Sequence, residues 1–324
     1  METITKNGNL HKAKSAKNDE FYTQLIDIEK EMMHYKNHFR GKVVYCNCDT
    51  PQSSNFFKYF SLNFEHLGLK KLITACHRED DFGLSLEYNG DLNGDGVPNP
   101  EEIGIIKLKS NGDFRSPESI ELLKQADIVV TNPPFSLFRE YVKQLIDYDK
   151  EFIIIGNMNA ITYKEVFQII QANKLWLGVT NFNKGMYFKV PNDFVYSDTY
   201  KFEKEQNGEK VSRVAGVCWF TNVQHNKRSQ ELILYKEYTP EEYPKYDNYD
   251  AINVDKVKDI PKDYFKVIGV PITFLSNHNP EQFEIVGCSY DYGRPLNWDK
   301  SINMNVTVKG VNIYKRLLIR NKNI

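Results

Sequence analysis

The sequence has 324 residues, 41% of them hydrophobic and 26% charged, with a formal net charge of −1. This length suffices for one large α/β domain and a smaller one. The near-zero charge excludes a protein that is basic throughout, so nucleic acid would have to bind at local basic patches. With no apolar run of about 18 residues and no signal-like segment, the pattern indicates neither membrane insertion nor export. The five cysteines form no metal-ligand or disulfide pattern, which predicts reduced thiols and a cytoplasmic protein.

Strand and helix patterns alternate from residue 42 to residue 180. Continuous apolar runs predict buried strands at 42–49, 70–76, 127–131, 151–158 and 174–180. Helical spacing predicts helices at 24–38, 54–68, 117–125, 135–148 and 162–173. Strands that are apolar throughout are typical of a mostly parallel sheet with both faces covered. Ligands bind such sheets at the carboxyl ends of the strands, so the polar residues that follow each run are candidate site residues.

Residues 80–110 are interpreted as a β-hairpin inserted between the second and third strand regions. Its turn, DLNGDGVPNPEE, fits the spacing of a calcium-binding loop, with oxygen ligands at Asp91, Asn93, Asp95 and Glu102. The flanking segments alternate like strands, whereas the calcium loop of an EF-hand lies between two helices. An acidic turn without an ion and a calcium loop therefore both remain open.

The alternation of strand and helix patterns weakens near residue 225, which predicts a first domain at 1–225 and a smaller module at 226–324. The chain ends with five basic residues and no acidic residue after position 300, namely Lys309, Lys315, Arg316, Arg320 and Lys322. At the other terminus a polar segment holds Lys12, Lys14 and Lys17. This segment is either an idle solvated arm or an arm that follows DNA phosphates.

The most informative motif follows the strand DIVVT. There Asn132, Pro133, Pro134 and Phe135 come directly before a predicted helix. Because proline fixes its own φ and restricts the residue before it, the two prolines form a stiff corner. That corner presents the Asn132 side chain and the Pro133 carbonyl as two acceptors for the hydrogens of an amino group, and Phe135 could stack on the ring that carries it. A plain strand-to-helix turn is the structural alternative.

TNPPF in this context resembles motif IV of the S-adenosylmethionine-dependent methyltransferases that act on amino groups. The longer blocks NLHKAKSAKNDEFYTQ, KVVYCNCDTPQSSNFFKYF, GDFRSPESIELLKQADIVVTNPPFSLFREYV and YPKYDNYDAINV resemble the EcoRI-type adenine-N6 DNA methyltransferase family. The resemblance covers nearly the whole chain. It implies a Rossmann-like methyltransferase sheet with a smaller C-terminal target-recognition region.

The same resemblance implies roles for individual residues. Cofactor contacts are expected from the segments DEFYT, CNCD and GDF, at Phe21, Tyr22, Thr23, Cys46, Asn47, Asp49, Asp113 and Phe114. Catalysis is expected at Asn132, Pro133, Pro134 and Phe135. In the polar-aromatic segment KYDNYDAIN we expect DNA contacts from Tyr246, Asn248, Tyr249 and Asn253.

The predicted function is site-specific methylation of adenine N6 in duplex DNA, with the target base flipped into the corner. S-adenosylmethionine is the expected methyl donor, and double-stranded DNA is the expected partner. Whether a cognate restriction endonuclease accompanies the enzyme stays open. Two alternatives stay open: the same chemistry on RNA adenine or another amine, and a non-catalytic DNA- or calcium-binding module.

Overall fold

The computed structural model of the protein describes residues 22–47, 54–78, 82–190, 202–206, 209–289, 293 and 305–322. Its strands are β1 (Tyr22–Thr23), β2 (Val43–Asn47), β3 (Lys71–Cys76), β4 (Leu84–Tyr88), β5 (Ile103–Lys107), β6 (Ile128–Thr131), β7 (Glu151–Asn157), β8 (Trp176–Leu177), β9 (Met186–Lys189), β10 (Phe202–Gln206), β11 (Glu209–Val214), β12 (Val217–Thr221), β13 (Ile252–Asn253), β14 (Ile268–Pro271), β15 (Phe283–Cys288), β16 (Thr307–Val308), β17 (Val311–Asn312) and β18 (Arg316–Asn321). Its α-helices are α1 (Leu25–Met32), α2 (Asn55–Leu62), α3 (Phe64–Leu67), α4 (Pro117–Gln125), α5 (Phe138–Asp147) and α6 (Lys164–Gln171). Short 3-10 helices lie at Lys36–His38, Phe135–Leu137, Met158–Thr162, Asn226–Ser229, Val257–Asp259 and Ile272–Asn277.

The chain divides into two compact units. The first comprises Met1–Met158 and Gly178–Val223, and the second comprises Asn159–Leu177 and Gln224–Ile324. The later division lies close to the predicted boundary at residue 225. The segment 159–177, which contains α6, belongs to the second unit, whereas the sequence pattern placed it in the first. The functional roles assigned to the two domains stay predictions.

The first unit is built on a large mixed sheet. Its strands run in the order β5-β4-β3-β2-β6-β7-β12. The central strands β3, β2, β6 and β7 are parallel, while β4, β5 and β12 are antiparallel to their neighbours. The protein is therefore a mixed α/β protein with a parallel centre. The predicted hairpin is confirmed, and it extends one edge of this sheet as β4 and β5.

Local polar contacts decide where the helices stop. The predicted helix at 54–68 begins as expected at Ser54, whose hydroxyl accepts from the Phe57 N–H at 3.3 Å. It breaks at Asn63, because the Asn63 side chain donates to the Tyr59 carbonyl at 2.8 Å and competes with the helical hydrogen bonds. The second half, α3, ends at Gly68 in the left-handed conformation with φ +64°.

A buried carboxylate shortens the strand predicted at 174–180. Glu31 on α1 is fully buried. Its oxygens accept from the Val179 N–H at 2.8 Å and the Thr180 N–H at 2.8 Å, so these amides cannot enter a strand ladder. The Tyr35 hydroxyl donates to the same carboxylate at 2.8 Å. Burial of the ring, together with Glu31, raises the pKa of Tyr35 well above its ordinary value. The carboxylate thereby fixes the loop after residue 177 to α1.

The second unit contains a smaller sheet in the order β13-β14-β18-β15. Strand β13 is parallel to β14, and β18 is antiparallel to both of its neighbours. Helix α6 packs on β15, where the Gln171 side chain donates to the Val286 carbonyl at 3.0 Å. In the part of the chain that the structure describes, no helix has the length and apolar character needed to cross a membrane.

Gly178 offers a test of the buried carboxylate. A Cβ atom there would lie 2.4 Å from Glu31 Oε1 and 2.5 Å from Trp219 Cβ, both fully buried. We expect Gly178→Ala to lower the free energy of unfolding by about 1–3 kcal/mol through overpacking, measured by urea unfolding. The control is Gly104→Ala, because a Cβ at Gly104 would meet nothing closer than 3.8 Å. Equal unfolding midpoints for the two variants would contradict the prediction.

Candidate active site

The ends of two neighbouring strands form the centre of the candidate site. Strands β2 and β6 are parallel, with Tyr45 opposite Val129, so both chains leave the sheet at the same edge. Beyond this register the Thr131 hydroxyl donates to the Asn47 carbonyl. Asn132, the next residue, is 9% exposed. The sheet thus brings Asn47 and the start of the NPPF segment to the same edge.

The two prolines turn the chain from β6 into α5. Pro134 has an extended backbone, and the residues after it form a short 3-10 turn, whose Leu137 N–H donates to the Pro134 carbonyl at 3.0 Å. Phe138 then begins α5 and packs against Phe220 with ring centroids 5.0 Å apart. Phe135, at the outer side of the turn, is half-buried against the core. The corner is therefore rigid on both sides of Asn132.

Tyr141 connects this corner to the end of β2. It lies one turn after Phe138 on α5 and is fully buried. Its hydroxyl donates to Asn47 Oδ1, and its ring meets the Phe114 ring edge-on at 5.0 Å. Within the described part of the chain, no acceptor binds the Asn47 side-chain N–H groups, so Tyr141 orients them as donors at the strand end. Helical spacing alone marks Tyr141 as a core residue, and the sequence analysis missed it.

Asp113 lies in an ion pair with its neighbour. Both carboxylate oxygens accept from Arg115, at 2.8 Å from Nε and 2.6 Å from Nη2. The Arg115 hydrogen bonds hold the pKa of Asp113 below its ordinary value. Arg115 also reaches Glu140 on α5 at 3.3 Å. The carboxylate is thus fixed and charged, and the proposed contact with the cofactor would have to use the remaining lone pairs. Arg115 itself was not predicted.

Phe114 is buried, at 6% exposure. The Arg115 guanidinium lies 5.2 Å from its ring centre, and the Gln144 side chain donates to its carbonyl at 3.1 Å. The backbone of this segment is therefore attached to α5, which also holds Tyr141. Its predicted contact with a cofactor ring stays a prediction.

The remaining predicted cofactor residues differ in their burial and in their hydrogen bonds. Thr23 is 2% exposed, and its carbonyl accepts from Asn55 Nδ2 at 2.7 Å. Its hydroxyl is buried and has no hydrogen-bond partner among the described residues. Tyr22 precedes it on β1, opposite Lys189. The side chain of Cys46 points into the hydrophobic core of the first unit, so only its backbone could contact a ligand. Two further predicted residues, Phe21 and Asp49, lie outside the described residues.

The segment predicted to contact DNA is buried. Tyr246, Asn248, Tyr249 and Asn253 are 5%, 2%, 7% and 7% exposed. The Tyr246 hydroxyl donates to Asn253 Oδ1 at 2.9 Å, and Arg316 Nε donates to the same oxygen at 3.2 Å. These side chains form a hydrogen-bonded core, which corrects the expectation that they face a ligand. The three predicted arm lysines, Lys12, Lys14 and Lys17, lie outside the described residues.

The acidic loop between β4 and β5 is held by its own backbone. Asp91 accepts from the N–H groups of Gly94 and Gly96, both at 2.7 Å, and these bonds, led by Gly96, lower its pKa. Glu102 accepts from the Leu92 N–H at 2.8 Å. Two other predicted ligands, Asn93 and Asp95, are joined by a side-chain hydrogen bond of 3.1 Å. Within the described chain no group of three or more His, Cys, Asp or Glu residues is arranged to hold a metal ion, and the calcium alternative stays a prediction.

Comparisons with known proteins agree on one family. The family model described as "Adenine-specific methyltransferase EcoRI" matches residues 9–322. The type II methyltransferase M.EcoRI of Escherichia coli is 49% identical, over 97% of this chain and 97% of its own length. M.MgeORF184P of Mycoplasma genitalium is 39% identical over 97% of this chain and 99% of its own, and M.MpnI of Mycoplasma pneumoniae is 42% identical over 86% and 85%.

No solved structure shows significant similarity to the chain. The matches at the level of sequence nevertheless span the corner, both strand ends and the second unit. The relatives are 39% to 49% identical to the chain over 86% or more of its length, which establishes family membership. The chain belongs to the EcoRI family of adenine-specific methyltransferases.

Proposed function

We propose that this adenine-specific DNA methyltransferase modifies the N6 amino group of an adenine that has left the duplex, with S-adenosylmethionine as methyl donor. The observation that carries the proposal is the corner at Asn132, which the parallel pairing of β2 and β6 sets beside Asn47. In a doubly wound sheet, this edge is where ligands bind. The parallel centre of the sheet supports a Rossmann-like arrangement.

Asn132 and Pro133 act on the amino group. The Asn132 side-chain oxygen and the Pro133 carbonyl accept the two hydrogens of N6, which directs the nitrogen lone pair out of the plane of the base. When bound, S-adenosylmethionine supplies an electrophilic methyl group on a sulfonium. As the nitrogen–methyl bond formed, the carbon–sulfur bond would break, S-adenosylhomocysteine would leave with the bonding electrons, and the nitrogen would then lose one proton to solvent. The corner works by orientation and electrostatics, because a stiff backbone holds its acceptors before the substrate arrives.

The residues around the corner fit a cofactor with polar and aromatic parts. The buried Thr23 hydroxyl, which has no hydrogen bond among the described residues, can be satisfied by a polar group of the cofactor. Asn47 presents N–H donors that Tyr141 holds in place. Asp113 and Phe114 are the candidates for the adenine end of the cofactor. These assignments are supported by burial and hydrogen bonding of the chain's own residues.

The substrate base has to leave the helix to be modified. Asn132 is 9% exposed, so an adenine stacked inside a duplex could not bring N6 to it. Extrusion of the base costs a few kcal/mol, which contacts in the pocket have to offset. Phe135 beside the corner is the candidate stacking partner. The second unit is the proposed target-recognition region. The names of the relatives, all type II methyltransferases, support a modification methylase of a restriction-modification system.

Product analysis tests the function directly. Purified protein would be incubated with methyl-labelled S-adenosylmethionine and, separately, duplex DNA, RNA and a protein mixture. The products would then be digested to nucleosides or amino acids. We expect label in N6-methyladenine from DNA alone. Label in RNA adenine, in another base or in protein would overturn the proposed substrate.

The corner predicts the effect of Asn132→Ala. Loss of one acceptor for the amino group should lower kcat by about 100-fold to 1,000-fold, the scale for a single preorganised electrostatic contact. The Kd for S-adenosylmethionine should stay within severalfold, because Asn132 is assigned to the amine. Asn37→Ala, which removes an exposed amide in the 3-10 helix Lys36–His38 of the same unit, is the control and should keep wild-type kcat. A variant with wild-type kcat at position 132 would exclude the assigned role.

The contact between Tyr141 and Asn47 predicts a separate effect on the cofactor. Tyr141→Phe keeps the ring against Phe114 but leaves Asn47 without its donor, a loss of about 1–3 kcal/mol for a buried polar group. We expect the Kd for S-adenosylmethionine to rise about tenfold, measured by calorimetry, with DNA affinity unchanged.

Two comparisons separate this effect from a general loss of packing. Tyr35→Phe removes another buried hydroxyl, which donates to Glu31, and should lower stability without changing cofactor affinity. In an Asn47→Ala background, Tyr141→Phe should have no further effect on the Kd. Additive losses in the double variant would mean that Tyr141 does not act through Asn47.

A further inference from the structure

A β-hairpin near the end of the second unit has a sharply defined tip. Strand β16 pairs with β17 so that Val308 lies opposite Val311. The two residues between them, Lys309 and Gly310, have φ angles of +51° and +75°. Positive φ at both central positions is the geometry of a type I′ turn, which matches the twist of the strands and favours Asn-Gly. We refer to residues 305–315 as the 305–315 hairpin.

Asp247 holds this tip. Its carboxylate accepts from the Lys309 N–H at 3.1 Å and from the Gly310 N–H at 2.8 Å. These bonds, led by the one from Gly310, lower the pKa of Asp247. The backbone N–H of Asp247 also donates to the Thr307 carbonyl at 2.8 Å. The turn is therefore fixed from outside the hairpin.

Three buried residues of the polar-aromatic segment contact the hairpin. Asn248 donates to the Asn305 carbonyl at 2.6 Å and accepts from the Thr307 N–H at 3.4 Å. Tyr246 and Tyr249 share a hydrophobic cluster with Val306. Three of the residues predicted as DNA contacts, Tyr246, Asn248 and Tyr249, thus pack against the hairpin or form hydrogen bonds with it.

The outer side of the hairpin is exposed and carries both apolar and basic side chains. Tyr314 is 76% exposed and Val311 is 64% exposed. Lys309 and Lys315 are also exposed. Within the described chain no acidic side chain forms an ion pair with Lys309. A two-stranded element therefore presents a lysine at its tip, with the exposed Val311 next to the turn and the exposed Tyr314 at the opposite end of the hairpin.

The choice of lysine at the tip is unfavourable for the turn itself. A left-handed conformation costs a non-glycine residue about 1–2 kcal/mol, and asparagine tolerates it better than lysine does. Residues held in such conformations concentrate at functional sites. The geometry of the turn therefore does not explain why position 309 is a lysine.

The acidic residues around the hairpin have partners of their own. The Asp247 carboxylate stays ionised and accepts from the two tip N–H groups. Asp250 is paired with Lys245 at 3.1 Å, and Asp255 is paired with Arg316 at 2.7 Å. Lys309 is therefore a cationic side chain at the tip with no acidic partner among the described residues, which leaves its ammonium group available to an anionic partner.

From this geometry we propose that the 305–315 hairpin enters the major groove of duplex DNA, with Lys309 at base edges and Tyr314 along the groove wall. This inference rests on the proposed function and names the element that recognises its substrate. The major groove, about 12 Å wide, admits a two-stranded β-ribbon, and lysine pairs with guanine O6 and N7 there. The fixed turn would bring the Lys309 backbone to the groove already ordered, so that only the side chain has to be ordered on binding.

Lys309→Asn is the sharpest test, because asparagine favours the turn and removes only the charged side chain. The site would first be found by methylation-sensitive sequencing of DNA from a host that expresses the chain. Binding is then measured for a duplex with that site and for a scrambled duplex of equal composition. We expect about a tenfold to hundredfold loss of affinity for the site and a much smaller loss for the scrambled duplex, with an unchanged Tm.

Lys262→Asn is the matched control. It removes the same charge from an exposed position in the same unit, but Lys262 is already paired with Glu237 at 2.9 Å, so both duplexes should bind as to wild type. Unchanged binding by Lys309→Asn, or equal losses on both duplexes, would overturn base recognition by the hairpin. The wild-type product analysis is independent of this result. If wild-type protein methylates DNA while Lys309→Asn keeps its discrimination, only the hairpin assignment fails.

Discussion

The parallel pairing of β2 with β6 is the constraint on which the candidate site depends. Asp127 fixes it at the start of both strands, since its carboxylate accepts from the Val43 N–H at 2.7 Å and its own N–H donates to the Val43 carbonyl at 2.9 Å. At the other end Thr131 reaches the Asn47 carbonyl. A shift of register by one residue would turn every side chain of a strand to the opposite face. Such a shift would separate Asn47 from the corner.

In each unit a buried polar side chain forms hydrogen bonds with backbone N–H or C=O groups and thereby holds a loop in place. In the first unit Glu31 fixes the chain at Val179 and Thr180. In the second unit Asn248 donates to the Asn305 carbonyl and accepts from the Thr307 N–H, which fixes the chain where β16 begins. Loss of one partner in such a pair leaves the other buried and unsatisfied. These loops are therefore ordered by a small number of specific residues.

The sequence alone predicted much of the first unit, because long apolar runs and helical spacing are strong local signals. The strand before Asn132, the corner itself and the β4–β5 hairpin all follow from such signals. Contacts between distant residues are different. Nothing local indicates that Tyr141 reaches Asn47, or that Glu31 ends a strand more than a hundred residues away.

In the second unit a local pattern suggested exposed side chains where the structure shows buried ones. The alternation of Tyr, Asn and Asp around residue 248 is typical of an exposed binding segment. Here these polar groups satisfy one another and the 305–315 hairpin, which burial permits only when every hydrogen bond is made. The long range of these contacts, such as that from Asn248 to Asn305, explains why pattern and burial disagreed.

Neither unit is a single stretch of chain, since the backbone passes from one to the other after residues 158, 177 and 223. This interleaving has an evolutionary consequence. A gene fusion or a simple exchange of the last hundred codons would transfer the second unit without α6, the helix that packs on β15. Transfer of the whole second unit between relatives by recombination would require a crossover at each of these three boundaries. Under the role proposed above for the second unit, point substitution at exposed positions such as Lys309 is the shorter route to a new specificity.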